Sequence, residues 1–197
     1  MTDTTAADTT AADPAANPTF DPGDVATAPT ARALRSTDRS RFAFFGTTDG
    51  LEPADISEIM SAPTFRPGVL DSVDAMELVA GARVVALFSH AGPEGLSLVH
   101  VRFAPHYMLP RHSHDADCLY YVVSGSISVG TRVVGPGAGF YVPAGAPYGY
   151  QAGPDGVELL EFRNATTFGI DIVEDNIARW ERMLANARSH RDEWATF

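Results

Sequence analysis

The stretch RHSHDADCLYYVVSG, from Arg111 to Gly125, constrains the fold more than any other part of this sequence. Side chains of a β-strand alternate between its two faces, so His112 and His114 share one face if the stretch is extended. Counting on by two also places Cys118 on that face. The run LYYVV is rich in aromatic and β-branched residues and predicts a strand, which Gly125 closes with a turn.

Two imidazoles on one face of a strand are suited to a first-row transition metal, which needs at least one further donor. The thiolate of Cys118 is the donor nearest along the strand, and we predict His112, His114 and Cys118 as metal ligands. The alternative is that Cys118 is a small, buried hydrophobic residue and does not bind the metal. The chain has a single cysteine, which excludes an intramolecular disulfide.

The rest of the sequence predicts short strands separated by Gly and Pro, which is typical of a jelly roll or small barrel. Arg83–Ser89 and Leu96–Phe103 form a predicted hairpin, and Val157–Phe162 is a predicted closing strand. The tail changes period after Glu174. Helical spacing there predicts an amphipathic helix with one apolar face, formed by Ile177, Trp180, Leu184 and Ala187.

The stretch that carries the two histidines resembles the first motif of the cupin superfamily. That motif reads Gly, five residues, His-x-His, three or four residues, Glu, six residues, Gly. His112, His114 and Gly125 match it. Cys118 stands at the Glu position and His106 at the first Gly position.

A second stretch, GAGFYVPAGAPYGYQA, begins at Gly137 and resembles the second cupin motif. That motif reads Gly, five residues, Pro-x-Gly, two residues, His, three residues, Asn. Gly137, Pro143 and Gly145 fit it. The His position holds Tyr148 and the Asn position holds Ala152, so the second set of metal ligands is degenerate.

The resemblance covers roughly Leu96 to Phe162 and implies an all-β fold, the cupin double-stranded β-helix or jelly-roll barrel, in a small single-domain protein (a monocupin). We expect a flexible acidic arm and linker over residues 1–40, the barrel over 41–173 and a C-terminal helix over 174–197. The arm consists mostly of Thr, Ala, Asp and Pro, which offer too little apolar surface to offset the entropy of ordering.

The resemblance also implies a metal-dependent enzyme that acts on a small metabolite, and an oxygenase or dioxygenase is the leading expectation. One divalent transition metal ion is expected, with iron favoured over zinc, nickel, copper or manganese. A non-oxidative lyase or isomerase of the same fold is one alternative. A non-catalytic barrel that binds or senses a small molecule is another.

Tyr148 is the predicted catalytic residue, because a phenol near a metal or a cation can have its pKa lowered and then transfer a proton. The alternatives are that Tyr148 is itself a metal ligand, or that Tyr148 and Tyr150 only line the barrel mouth. His106 precedes the first motif. His100 and Arg102 share the polar face of one strand, which faces either a polar cavity or solvent. We predict His100, Arg102, His106 and Tyr150 as substrate-binding residues.

The formal net charge of −11 disfavours nucleic acid and anionic membrane surfaces as partners. No run is long and apolar enough to span a membrane, and no secretory signal is visible, which favours a cytoplasmic protein. The aromatic patch RFAFFG contains Phe42, Phe44 and Phe45. Together with the resemblance, this patch favours a homodimer. The expected partner is a small-molecule substrate.

Overall fold

A computed structural model describes residues 35–36, 44–47, 53–91 and 94–197. The predicted arm lies almost entirely outside the described residues, as does Phe42. The strands are β1 (Arg35–Ser36), β2 (Ala54–Asp55), β3 (Thr64–Phe65), β4 (Ala82–His90), β5 (Leu96–Phe103), β6 (His112–Ser113), β7 (Cys118–Val129), β8 (Arg132–Val134), β9 (Gly139–Val142), β10 (Gln151–Arg163) and β11 (Asp171–Ile172).

These strands form two sheets. The larger one has the order β1-β4-β5-β10-β7-β8, with β2 added on β4 and β9 added on β7. The smaller one has the order β3-β11-β6. The predicted hairpin is present, because β4 and β5 pair antiparallel from Ala82 opposite Phe103 to His90 opposite Leu96. The predicted all-β class is therefore confirmed.

Strand β7 has the alternation that the sequence predicts, with Cys118, Tyr120 and Val122 buried and the residues between them exposed. The predicted turn at Gly125 is wrong, because β7 runs on to Val129. Gly125 instead has a φ of 70°, and a Cβ there would lie 2.2 Å from the carbonyl oxygen of Gly156. Glycine permits β7 and β10 to approach at this irregular point of their register.

The predicted C-terminal helix is confirmed as α1 (Ile177–Ser189), followed by a short second helix, α2 (Arg191–Trp194). The side chain of Asn176 caps α1 by accepting a hydrogen bond from the Arg179 amide at 3.1 Å. Trp180, Leu184 and Ala187 are buried as predicted. Ile177 is 37% exposed, and Met183 takes its place on the buried face.

The outer face of the large sheet exposes a group of apolar side chains. Leu119 lies opposite Tyr141 on one side and Phe162 on the other, and all three are exposed. Phe44 and Phe45 are also about half exposed. The homodimer stays a prediction. Among the described residues, no helix is long and apolar enough to cross a membrane.

Candidate functional site

A cavity of about 410 Å³ lies between the inner face of β4, β5 and β10 and the small sheet, with Trp180 of α1 in its wall. This volume is in the range of small-molecule sites. Most of its lining is aliphatic or aromatic carbon. The polar lining side chains are Tyr107, His112, His114, Tyr150, Glu161 and Arg163.

His112 and His114 lie side by side in the cavity wall, with their ring centroids 5.0 Å apart. Each ring is held by a backbone carbonyl oxygen: Nδ1 of His112 lies 2.9 Å from O of Pro110, and Nδ1 of His114 lies 2.7 Å from O of Gly169. In the neutral imidazole, Nδ1 then carries the hydrogen and Nε2 carries the lone pair. The predicted pairing of the two imidazoles is present in the structure.

Both histidines are neutral at physiological pH. Burial, together with the nearby charge of Arg163, lowers the pKa of His112 to about 4 and that of His114 to about 3. Each imidazole is therefore uncharged, with a lone pair at Nε2 that can accept a hydrogen bond. The two rings differ at Nε2, because that of His114 also contacts Nη2 of Arg163 at 3.3 Å.

Tyr107, Glu161 and Arg163 are site residues that were not predicted from the sequence, and the last two are charged. Glu161 and Arg163 lie two apart on β10 and so share its inner face. Arg163 is 1% exposed and Glu161 7%, and Nη2 of Arg163 lies 2.7 Å from Oε2 of Glu161. The guanidinium also lies over the ring of Phe168, with Cζ 3.9 Å from the centroid.

One nitrogen of Arg163 is at the centre of the site. Besides Glu161, Nη2 contacts Nε2 of His114 at 3.3 Å and the hydroxyl oxygen of Tyr120 at 3.5 Å. Although burial opposes the charged form, the Glu161 carboxylate keeps the pKa of Arg163 above its ordinary value. Arg163 is thus a permanent cation whose Nη2 contacts oxygen or nitrogen atoms of three other side chains.

Two tyrosines, Tyr120 and Tyr148, lie close to this group of residues. The hydroxyls of Tyr120 and Tyr148 are hydrogen-bonded to each other, and the ring of Tyr148 lies 4.2 Å from that of His112. Burial and the negative charge of Glu161 raise the pKa of both tyrosines. Tyr148 therefore remains a neutral phenol, and its position next to His112 suits packing and hydrogen bonding better than proton abstraction.

Cys118 is 2% exposed on the inner face of β7, paired opposite Arg163 of β10 and outside the cavity lining. Burial raises the pKa of its thiol to about 12. Its Sγ lies 3.7 Å from the carbonyl oxygen of Leu119. This environment disfavours the thiolate, the form that binds metals.

Of the four predicted substrate-binding residues, the structure brings only Tyr150 to the cavity. His100 and Arg102 lie on the outer face of β5, where Nε2 of His100 meets Oε1 of Glu158 at 2.7 Å. The opposite face of β5 lines the cavity with the apolar side chains of Val99, Val101 and Phe103. His106 packs against His190 at a centroid distance of 4.9 Å, away from the cavity lining.

The two imidazoles have the tautomer and the anchored geometry that metal ligands need. The remainder of the donor set does not fit a divalent metal ion. Among the described residues, no three His, Cys, Asp or Glu side chains are grouped closely enough to hold one. The carboxylate of Glu161 and Nε2 of His114 both contact Arg163, whose fixed positive charge would repel a second cation.

No protein-family model matches the chain, and no curated protein matches it. Several solved structures do align. A variant of oxalate decarboxylase from Bacillus subtilis is 24% identical over 44% of this chain and 26% of its own, with a TM-score of 0.38. An RmlC-like cupin from Shewanella frigidimarina is 24% identical over 43% of this chain and 76% of its own, with a TM-score of 0.36.

The DMSP lyase DddQ from Ruegeria pomeroyi is 17% identical over 51% of this chain and 55% of its own, with a TM-score of 0.42. This chain thus spans about a quarter of the oxalate decarboxylase and about half of the lyase, and the activities in these names belong to those proteins. In the structure described here, the two cupin-like stretches pair with each other, since the backbones of His112 and Tyr148 exchange hydrogen bonds of 2.8 and 2.9 Å. The two sheets agree with the predicted all-β architecture.

Proposed function

We propose that the chain binds a small, mainly apolar metabolite in this cavity and moves a proton on it without oxidation, as a lyase or an isomerase does. One observation carries the proposal. His112 lines an apolar cavity with its Nδ1 bound to the Pro110 carbonyl oxygen, so its lone pair is on Nε2, and a fixed cation, Arg163, lies in the same wall. A base beside a cation suits proton abstraction next to a carbonyl group, because the cation stabilises the negative charge that forms on the oxygen.

In such a step, Nε2 of His112 takes the proton from a carbon next to the carbonyl group. The electron pair of the broken C–H bond moves to form an enolate, whose oxygen gains negative charge. The guanidinium of Arg163 stabilises that charge, more strongly in an apolar cavity than in water. The same imidazolium then returns the proton to another atom of the substrate.

Tyr148 supports His112 in this scheme. Its ring packs on the imidazole, and its backbone pairs with that of His112. Together with the bond from Nδ1 to the Pro110 carbonyl oxygen, these contacts keep Nε2 directed at one place. The predicted catalytic role of Tyr148 thereby becomes a positioning role.

A metal-dependent oxygenase is the second candidate, and the pair of anchored imidazoles favours it. This function requires Arg163 to withdraw from His114 and Glu161. Oxygen uptake with and without added iron separates the two candidates.

Exchange of carbon-bound protons in D2O tests the proposal. A panel of small enolisable compounds is incubated with the protein and followed by proton NMR. We expect exchange on at least one compound without oxygen uptake, and at least a roughly hundredfold slower rate in His112→Gln. His100→Gln is the matched control, since His100 lies on the outer face of the sheet. Binding without exchange would instead identify a non-catalytic binding protein.

A further inference from the structure

The charges in the cavity wall cancel. Glu161 and Arg163 are the charged residues of the lining, and they form a buried ion pair with an Nη2–Oε2 distance of 2.7 Å. The remaining polar lining consists of two imidazoles and two phenols. A ligand that enters therefore meets no net charge, in surroundings that are too apolar to screen one.

Hydrogen-bonding capacity in the wall is only partly used. Nε and Nη1 of Arg163 are buried, and neither has a hydrogen-bond partner among the described residues. Together these atoms carry three N–H groups. Buried donors without acceptors are costly, so an acceptor that reaches them is strongly favoured. The ring of Phe168 covers one face of the guanidinium, which favours an acceptor that lies in the guanidinium plane.

Three classes of ligand can be compared with this wall. A hydrocarbon fills the apolar space and leaves the N–H groups of Arg163 without an acceptor. A carboxylate supplies an acceptor but adds an uncompensated negative charge, because Glu161 already neutralises Arg163. An uncharged carbonyl group supplies the acceptor and adds no charge.

We propose that the ligand of this cavity is an uncharged carbonyl compound with an apolar body, whose oxygen accepts a hydrogen bond from Arg163. The proposal rests on the small-molecule function proposed above and specifies its substrate class. A hydroxyl or enol group next to the carbonyl would find its acceptor in Nε2 of His112. The apolar body contacts Val99, Val101 and Phe103 on β5.

Three probes of nearly equal shape test this: benzylacetone, hydrocinnamate and isopentylbenzene. They differ in having a ketone, a carboxylate and a branched alkyl group at the same place. Dissociation constants are measured by calorimetry on the full chain at neutral pH. We expect the ketone to bind at least about tenfold more tightly than the carboxylate and about fivefold more tightly than the hydrocarbon.

Two variants make the test specific. Arg163→Met removes the donors, and the ketone should lose its advantage over the hydrocarbon. Glu161→Gln keeps the shape and leaves Arg163 unneutralised, and the preference should reverse in favour of the carboxylate by about tenfold. His100→Gln, on the outer face of the sheet, should leave all three constants unchanged.

The outcomes separate this inference from the function on which it rests. Tighter binding of the carboxylate to the natural protein overturns the charge argument, and equal binding of ketone and hydrocarbon overturns the role of Arg163. Both results leave a small-molecule cavity in place. If none of the three probes binds, the proposed function fails together with the inference. The comparison within the natural protein holds even if a variant does not fold.

Discussion

Nη2 of Arg163 lies 3.3 Å from Nε2 of His114, where a guanidinium hydrogen meets the lone pair that a metal ion would otherwise take. The same nitrogen contacts Glu161 at 2.7 Å. The chain thus keeps an imidazole pair typical of a metal centre and places a covalently attached cation beside it. Unlike a metal ion, this cation cannot be removed by a chelator.

The buried ion pair predicts a marked asymmetry in stability. Glu161→Gln leaves the Arg163 charge unpaired in the interior and should lower the free energy of unfolding by about 3–5 kcal/mol. Adding Arg163→Met to it removes that charge, so the double variant should be more stable than Glu161→Gln alone. Urea denaturation of the three proteins measures both effects.

Arg66 provides the control for this prediction. It forms a 3.7 Å ion pair with Asp171, and both side chains are about half exposed. Arg66→Met should cost less than about 1 kcal/mol, as exposed ion pairs do. If Glu161→Gln and Arg66→Met lower the free energy of unfolding by the same amount, the buried pair has no special importance for stability.

Because the pKa values of His112 and His114 are lowered in the folded protein, we expect its stability to depend on pH. The folded pKa of His112, about 4, lies below the ordinary value of 6.5, so the unfolded chain binds the proton more readily. Stability should therefore be fully present above about pH 6.5 and fall as the pH drops toward 4. This histidine alone accounts for a loss of roughly 3 kcal/mol.

The variant His112→Gln cannot titrate and should show a flatter pH profile of the unfolding free energy between pH 7 and 4, apart from any constant loss of stability. His114, with a pKa of about 3, should contribute a similar slope that extends to lower pH. Parallel profiles for the natural protein and His112→Gln would show that His112 titrates normally in the folded protein.

Gly125 predicts a local effect of backbone shape. It has a φ of 70°, and a Cβ there would lie 2.2 Å from the oxygen of Gly156. Gly125→Ala should therefore lower the unfolding free energy by about 1–3 kcal/mol. Gly135, where a Cβ would meet nothing within 4 Å, is the control. Thermal denaturation should show a large drop for the first variant and almost none for the second.

Much of the fold could be predicted from sequence because its signals are local. Period-two alternation identified β7 and the β4–β5 hairpin, and helical spacing identified α1. The length of β7 was missed because a glycine with positive φ usually marks a turn, whereas Gly125 is placed within a strand by its contact with Gly156. That contact joins distant parts of the chain and has no local signal.

The sequence predicted the histidine pair of the site but not Glu161 and Arg163, which lie on β10. In VELLEFR, each face of the strand combines apolar residues with an acidic one, so alternation alone does not tell which face is buried. The pairing of β10 between β5 and β7 decides it, and turns Glu161 and Arg163 inward. Two ionisable residues in register on one strand face, close to a His-x-His strand, are the signal that could have suggested the pair.

On β5 the alternation was recognised, but the polar face was assigned to the cavity. The cavity is mainly apolar, and Val99 and Val101 line it while His100 and Arg102 lie on the outer face. Replacement of the expected Glu and His ligands by Cys118 and Tyr148 was the evidence in the sequence against a complete metal centre.

Metal analysis of the purified protein tests whether Arg163 takes the place of a metal ion. The full chain is expressed without added metal, then offered iron, manganese, zinc or nickel, dialysed and measured by elemental analysis. The predicted result is less than about one tenth of a metal ion per chain before and after reconstitution. About one tightly held metal ion per chain that is lost in both His112→Ala and His114→Ala would contradict it.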